Sequence, residues 1–293
     1  MDQTRRHVES SALTALLPAI AVAPVWLTAL FVVWWPLRVV WPVSFLLFAL
    51  AYLAAGVVLF VRPIQVRLIA PLLGARRPTR DERAVLDTSW RSVLQANRLP
   101  RGRYAIAVLP ADDLNAFACG GHLVIVTSFA IETLPRDELT GVLAHELSHH
   151  LGFHTIALTL SQWLSLPVLL LARIGFFLQN VSTAATDNFA RSSTSLTTIG
   201  RLVSGVLTVV SWVFLSGLML SNAMANIVGR NAEFQADRRV VAMGFGKPLA
   251  SALRRVLTTT VPTTTWRERL AQSHPPARTR VARIEALLRQ RRS

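Results

Sequence analysis

The sequence predicts a mainly α-helical membrane protein with four transmembrane helices and a cytoplasmic α+β part that contains a small β-sheet. Three observations support this fold class. Of the 293 residues, 52% are hydrophobic and only 16% are charged, whereas about 25% of the residues in soluble domains are charged. Four long apolar stretches alternate with polar segments, and arginines cluster at the ends of these stretches.

The four apolar stretches are long enough to cross a bilayer. Residues 11–37 and 39–61 contain no charged side chain, and each exceeds the roughly 20 residues that a transmembrane helix needs. A cleaved signal peptide is the alternative for the first stretch, but it is too long for the apolar core of a signal and a second span follows at once. The third stretch, 155–178, is interrupted by Pro167 and Arg173, and the fourth, 202–229, is uncharged. The third stretch is expected to cross, with a re-entrant segment as the alternative.

Arginine placement predicts the orientation of the spans. Arg5 and Arg6, the segment 62–80 and the C-terminal run are basic, and basic flanks favour the cytoplasm. The segment 179–200 is expected to be an external loop, because it is rich in Ser and Thr and has few charges. Both termini and the polar part are therefore predicted to be cytoplasmic. The expected organisation is an N-terminus (1–10), a transmembrane hairpin (11–61), a first polar segment (62–154), a second transmembrane hairpin (155–229) and a last polar segment (230–293).

The net charge of +15 has two interpretations. A strongly basic chain can bind nucleic acid, but here the arginines flank apolar runs and no basic-aromatic motif is present, so no nucleic-acid partner is expected. The lipid bilayer accounts for the charge instead. Cys119 is the only cysteine, which excludes an internal disulfide and a four-thiolate zinc site.

The polar segment between the second and third spans predicts a helix, a small sheet and a second helix. Residues 81–96 have the apolar spacing of an amphipathic helix. Residues 103–109, 115–119 and 122–128 are expected to be short strands, the last two joined in a hairpin at Gly120-Gly121. A helix is expected to begin at Pro135.

That second helix carries the sequence His145-Glu146-Leu147-Ser148-His149. Histidines four residues apart lie on one face of a helix, and two imidazole nitrogens can then bind one zinc ion at about 2.0–2.1 Å. Glu146 is placed to act as the general base on a metal-bound water. The competing interpretation is a surface helix with incidental histidines.

A catalytic zinc site needs a third protein ligand and an open fourth position. Cys119 and His274 are conceivable, but Glu233 is the better candidate, because it follows the fourth span on the predicted cytoplasmic side. Asp237 lies one helical turn further on, and its carboxylate is expected to accept a hydrogen bond from a ligand histidine. The alternatives are a solvated helix end for Glu233 and a surface ion pair for Asp237. Two His and one Glu also accept other first-row metals.

With these residues the chain resembles the HtpX-like membrane zincins, which are relatives of the CAAX prenyl proteases. The matching elements occur in family order and cover nearly the whole chain: Asn115-Ala116-Phe117-Ala118, the helix 142–149, the Glu-x-x-x-Asp element within 230–237, and Ser273-His274-Pro275-Pro276 followed by Arg280. One departure is Ala232, where the family often has a basic residue.

The resemblance implies a gluzincin-like endopeptidase of the bacterial plasma membrane with one Zn²⁺ per subunit, which cleaves misfolded or damaged membrane proteins or unfolded polypeptides for quality control. It also implies that His274 lies near the site as a catalytic residue that stabilises the oxyanion or places the substrate. A merely buried histidine is the alternative. Asn115, Ala116 and Phe117 would form an edge strand that binds substrate backbone. His150 and His154 are interpreted as structural.

Other functions remain open at this point. A selective CAAX-type processing peptidase uses the same chemistry, and a catalytically silent membrane chaperone or scaffold would need a degenerate site, which the intact motif disfavours. A transporter is disfavoured because the spans lack buried charges. An antibiotic-sensor protease would need an external sensor domain, whereas the C-terminal segment is short and is expected to be cytoplasmic.

Overall fold

The computed structural model describes residues 14–189, 193–259 and 275–291. Within them the chain divides into two compact units. The first comprises the residues up to Leu16 together with Ala55–Thr159 and the residues from Ala225 onward, and the second comprises Leu17–Ala54 and Leu160–Met224. We describe each unit by itself.

Helices dominate both units. Their bounds are α1 Leu17–Val40, α2 Phe45–Val58, α3 Arg62–Leu72, α4 Arg80–Ala96, α5 Ser128–Thr133, α6 Arg136–Leu151, α7 His154–Phe189, α8 Thr194–Ala242, α9 Gly246–Thr259 and α10 Ala277–Gln290. The middle of α3, Gln65–Ile69, is π-helical.

Three of the helices, α1, α7 and α8, are long and apolar enough to cross a membrane. The helices α2 and α3 meet this criterion only together, and they are bent by 72° at the break between them. The four predicted spans thus correspond to three unbroken candidate helices and one bent pair. In the second unit α1 and α7 share an apolar core that includes Val22, Leu30 and Val168. The chain runs through Pro167 as a single helix of 36 residues.

The expected loop 179–200 is wrong in extent. Helix α7 continues to Phe189 and α8 begins at Thr194. The Ser and Thr side chains that suggested a loop hydrogen-bond within the helices instead: the Thr183 hydroxyl donates to the Gln179 carbonyl at 3.0 Å and the Thr186 hydroxyl to the Ser182 carbonyl at 2.8 Å. Such bonds to the preceding turn satisfy a hydroxyl without ending the helix.

The first unit contains the predicted sheet. Its strands are β1 Ala105–Leu109, β2 Ala116–Cys119 and β3 Leu123–Thr127, in the order β1-β3-β2. Strands β2 and β3 pair antiparallel, as expected for the hairpin, and β1 pairs parallel to β3. The hairpin turn needs glycine at Gly120, where φ is +58° and an added Cβ would lie 2.1 Å from Nε2 of Gln65. Strand β3 is buried along its whole length, and β2 lies at an edge.

Helix α6 is the centre of the apolar core of the first unit. Leu139, Leu143 and Leu147 on this helix have no exposed surface, and they pack in one cluster with residues of α4, β3, α8, α9 and α10. Gly141 lets α9 approach closely, because a Cβ there would lie 2.5 Å from the backbone nitrogen of Leu249. The helix that carries the His-Glu-x-x-His motif is thereby held on several sides.

Candidate metal centre

The sequence of α6 favours a helix that begins and ends where the structure places it. Pro135 precedes the first turn, Asp137 and Glu138 lie within that turn, and His149 and His150 lie in the last turn. Acidic residues at the start and basic residues at the end of a helix complement its dipole. Glu138 also ties α6 to α9, because it accepts hydrogen bonds from the Ser251 hydroxyl at 2.7 Å and from Arg255 Nε at 3.0 Å.

The structure brings together two imidazoles and one carboxylate. Nε2 of His145 lies 3.2 Å from Oε2 of Glu233 and 3.2 Å from Nε2 of His149. Nε2 of His149 in turn lies 3.2 Å from Oε1 of Glu233. His145 and Glu233 are buried and His149 is partly buried. Glu233 comes from α8, 88 residues after His145.

Asp237 and Arg280 surround His145 on its other side. Oδ1 of Asp237 lies 3.1 Å from Nδ1 of His145. The Arg280 guanidinium donates to Asp237 Oδ1 at 2.7 Å and to Asp237 Oδ2 at 3.0 Å, and its Nη1 lies 3.0 Å from Glu233 Oε2. Arg280 is only 6% exposed, so a buried cation balances two buried carboxylates.

These charges shift the pKa values of the group. Burial and the Arg280 charge lower the pKa of the His145 imidazole, but Glu233 and Asp237 outweigh both and raise this pKa to about 9. Burial alone would raise the pKa of Asp237, yet its hydrogen bonds to His145 and Arg280 lower it below the usual range. The Asp237 carboxylate is therefore ionised at neutral pH.

Comparison with known proteins places this geometry in a family. The model of peptidase family M48 matches residues 81–288. The chain belongs to peptidase family M48. This family of metallopeptidases contains the HtpX-like proteins, so the resemblance inferred from the motifs is confirmed.

Relatives with curated names agree with the M48 assignment. The chain is 29% identical over 215 residues to the "Protease HtpX homolog" of Desulfotalea psychrophila. The aligned residues are 66% of this chain and 71% of the relative. It is 26% identical over 254 residues to the "Protease HtpX homolog" of Gemmatimonas aurantiaca, and the aligned residues are 80% of this chain and 87% of that relative. The match to "Protease HtpX" of Vibrio cholerae is 29% identical over 167 residues, so the chain spans about half of that relative, 54%.

One solved structure shares the fold. The crystal structure of S. mikatae Ste24p superposes with a TM-score of 0.52 at 18% sequence identity. The likeness covers 94% of this chain and 66% of that chain. At this identity the comparison describes the fold alone.

The donor set of this M48 chain fits a zinc ion. Two imidazole nitrogens and a carboxylate oxygen are typical ligands of catalytic zinc. Tetrahedral ligands at 2.0–2.1 Å from an ion are roughly 3.3 Å apart. The two Nε2 atoms of His145 and His149 are separated by a similar 3.2 Å, and one ligand atom from each of His145, His149 and Glu233 lies within 4.8 Å of the others. The three donor atoms leave a fourth position for water or substrate.

The other expected site residues lie in different places. Asn115 precedes β2, and Ala116 and Phe117 are its first two residues, so all three lie at the sheet edge. Cys119 ends β2, outside the cluster of donor atoms, and burial raises the pKa of its thiol. His274 lies outside the described residues.

The two further histidines after the motif have separate surroundings. Nε2 of His150 lies 3.0 Å from the Leu123 carbonyl, which joins α6 to the sheet, and burial lowers the pKa of His150 to about 4. The ring of His154 lies 6.4 Å from that of His149, centroid to centroid. His150 is therefore a neutral core residue at physiological pH.

Sequence reasoning included Arg280 only as part of a motif and gave it no contacts. Its guanidinium has donors within hydrogen-bond distance of His145, Glu233 and Asp237. In the sequence, Pro276 indicates the start of a helix, and Arg280 is the fourth residue of that helix. The sequence does not show that this helix packs on α8. No local pattern distinguishes this arginine from the many others.

Proposed function

We propose that this M48 protein is a zinc-dependent endopeptidase that cleaves polypeptides at the membrane. The observation that carries the proposal is the cluster of donor atoms from His145 and His149 on α6 and Glu233 on α8, with the buried Glu146 next to His145 in the sequence. A structural helix would not need two imidazoles and a carboxylate within hydrogen-bond distance of one another and of a buried arginine.

His145, His149 and Glu233 would hold the ion. A bound zinc ion lowers the pKa of its water towards about 7 and polarises the substrate carbonyl. Glu146 follows His145 directly and is 6% exposed. In our proposal its carboxylate takes a proton from the attacking water and returns the proton to the leaving amine.

Asp237 and Arg280 position these groups. Because Asp237 faces Nδ1 of His145 at 3.1 Å, it fixes the ring orientation and directs Nε2 towards the other donors. Arg280 holds both Asp237 and Glu233, so the two carboxylates keep their separation whether or not a metal is bound. His274 is proposed to stabilise the oxyanion or to place the substrate, as the family resemblance implies.

We propose that the substrate adds as a strand to the edge formed by Asn115, Ala116 and Phe117. The outer edge of β2 has no strand partner among the described residues, and backbone pairing there reads few substrate side chains. Such broad recognition suits misfolded or damaged membrane proteins and unfolded polypeptides. The basic flanks of the spans favour an active site and termini that face the cytoplasm of a bacterial plasma membrane.

The deciding experiment compares the wild type with Glu146→Gln. Both proteins are purified with zinc, bound metal is quantified, and casein cleavage is measured before chelation, after chelation and after zinc is added back. We expect Glu146→Gln to keep its zinc and to lose activity by about 10²–10⁴-fold, the usual contribution of general acid–base catalysis. Glu132→Gln, which changes an exposed glutamate on α5, is the matched control and should cleave normally.

Three other outcomes separate the alternatives. A wild type that holds zinc but cleaves no casein, while it cleaves a prenylated peptide, would favour the selective processing peptidase. A wild type that holds zinc and cleaves neither substrate would indicate a silent chaperone or scaffold. A protein that binds no metal would refute the metal centre itself.

A further inference from the structure

A cavity lies beside α8 near the candidate metal centre, and we call it the polar pocket. Its volume is about 350 Å³. The polar side chains that line it are Thr14, His154, Asn231, Gln235, Arg238 and Arg283. All of them belong to the first compact unit.

The helical positions separate the polar pocket from the catalytic face. At about 100° per residue, Asn231, Gln235 and Arg238 share one face of α8, and Glu233 with Asp237 share a face roughly half a turn away. A peptide bound over the metal donors therefore contacts a different side of this helix. The polar pocket therefore uses a different face of α8 from the metal donors, while its lining residue His154 lies 6.4 Å, ring to ring, from His149.

The lining of the polar pocket is suited to an anion. Arg238 and Arg283 contribute two guanidinium groups, and none of its described lining residues is acidic. The Arg283 guanidinium stacks at 3.9 Å over the Phe234 ring, which orients its donors. Both arginines are exposed, and among the described residues neither forms an ion pair with a carboxylate. Paired guanidinium groups bind phosphate oxygens with several parallel hydrogen bonds.

The side chain of Gln235 favours a ligand that carries a hydrogen-bond donor. Its Oε1 is buried and lacks a hydrogen-bond partner among the described residues, although the side chain lines the polar pocket. A buried acceptor without a partner is unfavourable, because it has lost its hydrogen bonds to water. A ligand that carries both a phosphate and an N–H or O–H donor would satisfy the arginines and the amide oxygen together.

The position of the polar pocket along the chain points to the membrane surface. Thr14 lies three residues before α1, and His154 is the first residue of α7. Val228, which also lines the polar pocket, is at the end of the uncharged stretch 202–229 of α8. Each of these residues lies where a candidate span meets its polar flank, the level at which lipid headgroups lie.

We infer that the polar pocket binds the headgroup of a phospholipid. Arg238 and Arg283 hold the phosphodiester, and Gln235 Oε1 accepts a hydrogen bond from the ammonium of an ethanolamine headgroup or the hydroxyl of a glycerol headgroup. Choline has a quaternary ammonium without a hydrogen-bond donor, so the site distinguishes headgroups that share the same phosphate.

The test measures lipid binding to the purified full-length protein in detergent micelles by native mass spectrometry. The probes are phosphatidylethanolamine, phosphatidylglycerol and phosphatidylcholine with identical acyl chains, together with soluble glycerophosphoethanolamine and inorganic phosphate. We expect the first two lipids to bind about tenfold more tightly than phosphatidylcholine, since one extra hydrogen bond to a buried acceptor is worth roughly 1.4 kcal/mol, or tenfold in affinity.

Two variants separate the contributions. Arg238→Gln combined with Arg283→Gln should weaken the binding of all three lipids by about tenfold or more, because the phosphate loses its cations. Gln235→Leu should abolish the preference for phosphatidylethanolamine over phosphatidylcholine, so that the two lipids bind with about equal affinity. Its affinity for phosphatidylcholine should equal that of the wild type. Arg278→Gln is the control, because Arg278 is an exposed arginine on the same helix as Arg283 and does not line the polar pocket.

Several outcomes would overturn the inference. Equal lipid binding by the wild type and the double arginine variant would remove the phosphate site. Saturation by inorganic phosphate at the same concentration as the lipids would identify a free phosphate ligand, and saturation by glycerophosphoethanolamine would identify a soluble phosphodiester in place of a lipid. Unchanged lipid binding with altered cleavage of acidic peptides would assign the arginines to substrate. If the double variant fails to fold, the headgroup preference of Gln235→Leu decides alone.

Discussion

The two compact units stabilise their buried polar side chains with different interactions. Around the metal centre, ionised groups neutralise each other: Arg280 pairs with Glu233 and Asp237, and the carboxylates face His145. In the second unit the buried polar groups are hydroxyls, such as Ser161 and Ser221, whose oxygens lie 3.3 Å apart. Removing one member of a charged set leaves an unpaired buried ion, whereas removing a hydroxyl leaves a weakly polar partner. The two units should therefore respond very differently to single deletions.

The largest effect is expected for Arg280→Leu. This change leaves the Glu233 and Asp237 carboxylates without their buried cation, and breaking a buried pair in this way costs about 3–5 kcal/mol. Zinc would compensate part of the charge on Glu233, so the loss should be larger in chelator than in zinc. Thermal unfolding in detergent micelles under both conditions measures this difference.

Arg278→Leu on the same helix is the matched control and should change stability by less than about 0.5 kcal/mol. Equal losses for Arg280→Leu with and without zinc would show that Arg280 acts through packing rather than charge.

Gly141→Ala tests whether the charged centre depends on close helix packing. The new Cβ would lie 2.5 Å from the Leu249 backbone nitrogen, and backbone cannot rotate away, so we expect a loss of about 1–3 kcal/mol. Gly205→Ala in α8, where a Cβ meets nothing within 4 Å, should be neutral or slightly stabilising. A harmless Gly141→Ala in the same thermal assay would mean that α6 and α9 can separate freely.

Ser161→Ala is the corresponding deletion in the second unit. It removes the contact with Ser221, whose hydroxyl still donates to the Pro18 carbonyl at 2.9 Å. We expect a loss of only about 0.6 kcal/mol, the average for hydrogen bonds between membrane helices. Ser165→Ala, which removes a bond within its own helix, should cost less. A loss above about 3 kcal/mol for Ser161→Ala would abolish the contrast between the units.

An exposed ion pair gives the smallest expected effect and a pH dependence. Arg76 donates two hydrogen bonds of 2.7 Å to Glu82 and, with the Thr79 cap, lowers the pKa of Glu82 to about 2. Because the folded value is below the ordinary 4.5, the stabilisation is present above pH 4.5 and is lost as the pH falls towards 2.

Glu82→Gln should therefore lower stability by about 0.5 kcal/mol at pH 6, as expected for a surface pair. The difference between this variant and the wild type should shrink between pH 4.5 and pH 2. Asp81→Asn removes an acidic residue from the same helical turn and keeps the Arg76–Glu82 pair, so its difference from the wild type should not follow this course. A constant difference for Glu82→Gln would exclude the assigned ionisation.

Local patterns were enough to predict much of the fold and the candidate site. The four-residue spacing of His145 and His149, the turn at Gly120 and the amphipathic helix near 81–96 depend on short-range geometry, and the structure has each of them. The extent of α7 and α8 was missed, because hydroxyl-rich residues favour loops in water but bond to the preceding turn inside a helix.

Contacts between distant residues were beyond such patterns. The parallel pairing of β1 with β3 depends on the path of the chain between the two strands. The residues of the strands themselves do not indicate that path. The contacts of Arg280 depend on the packing of α10 beside α8. Arg280 lies 135 residues after His145 in the sequence, so no local pattern links the two. Glu233 could be proposed from the sequence only because it follows the fourth span on the predicted cytoplasmic side.

The separation between His145 and Arg280 has a consequence for the order of events during synthesis. Domains generally fold from the N-terminal side as the chain emerges, and the motif helix α6 is made well before α10. Until α10 docks, Glu233 and Asp237 lack the buried cation that Arg280 provides. The candidate metal centre is therefore completed after both sets of apolar helices have been made, so a nascent chain carries the motif before it carries the complete set of contacts.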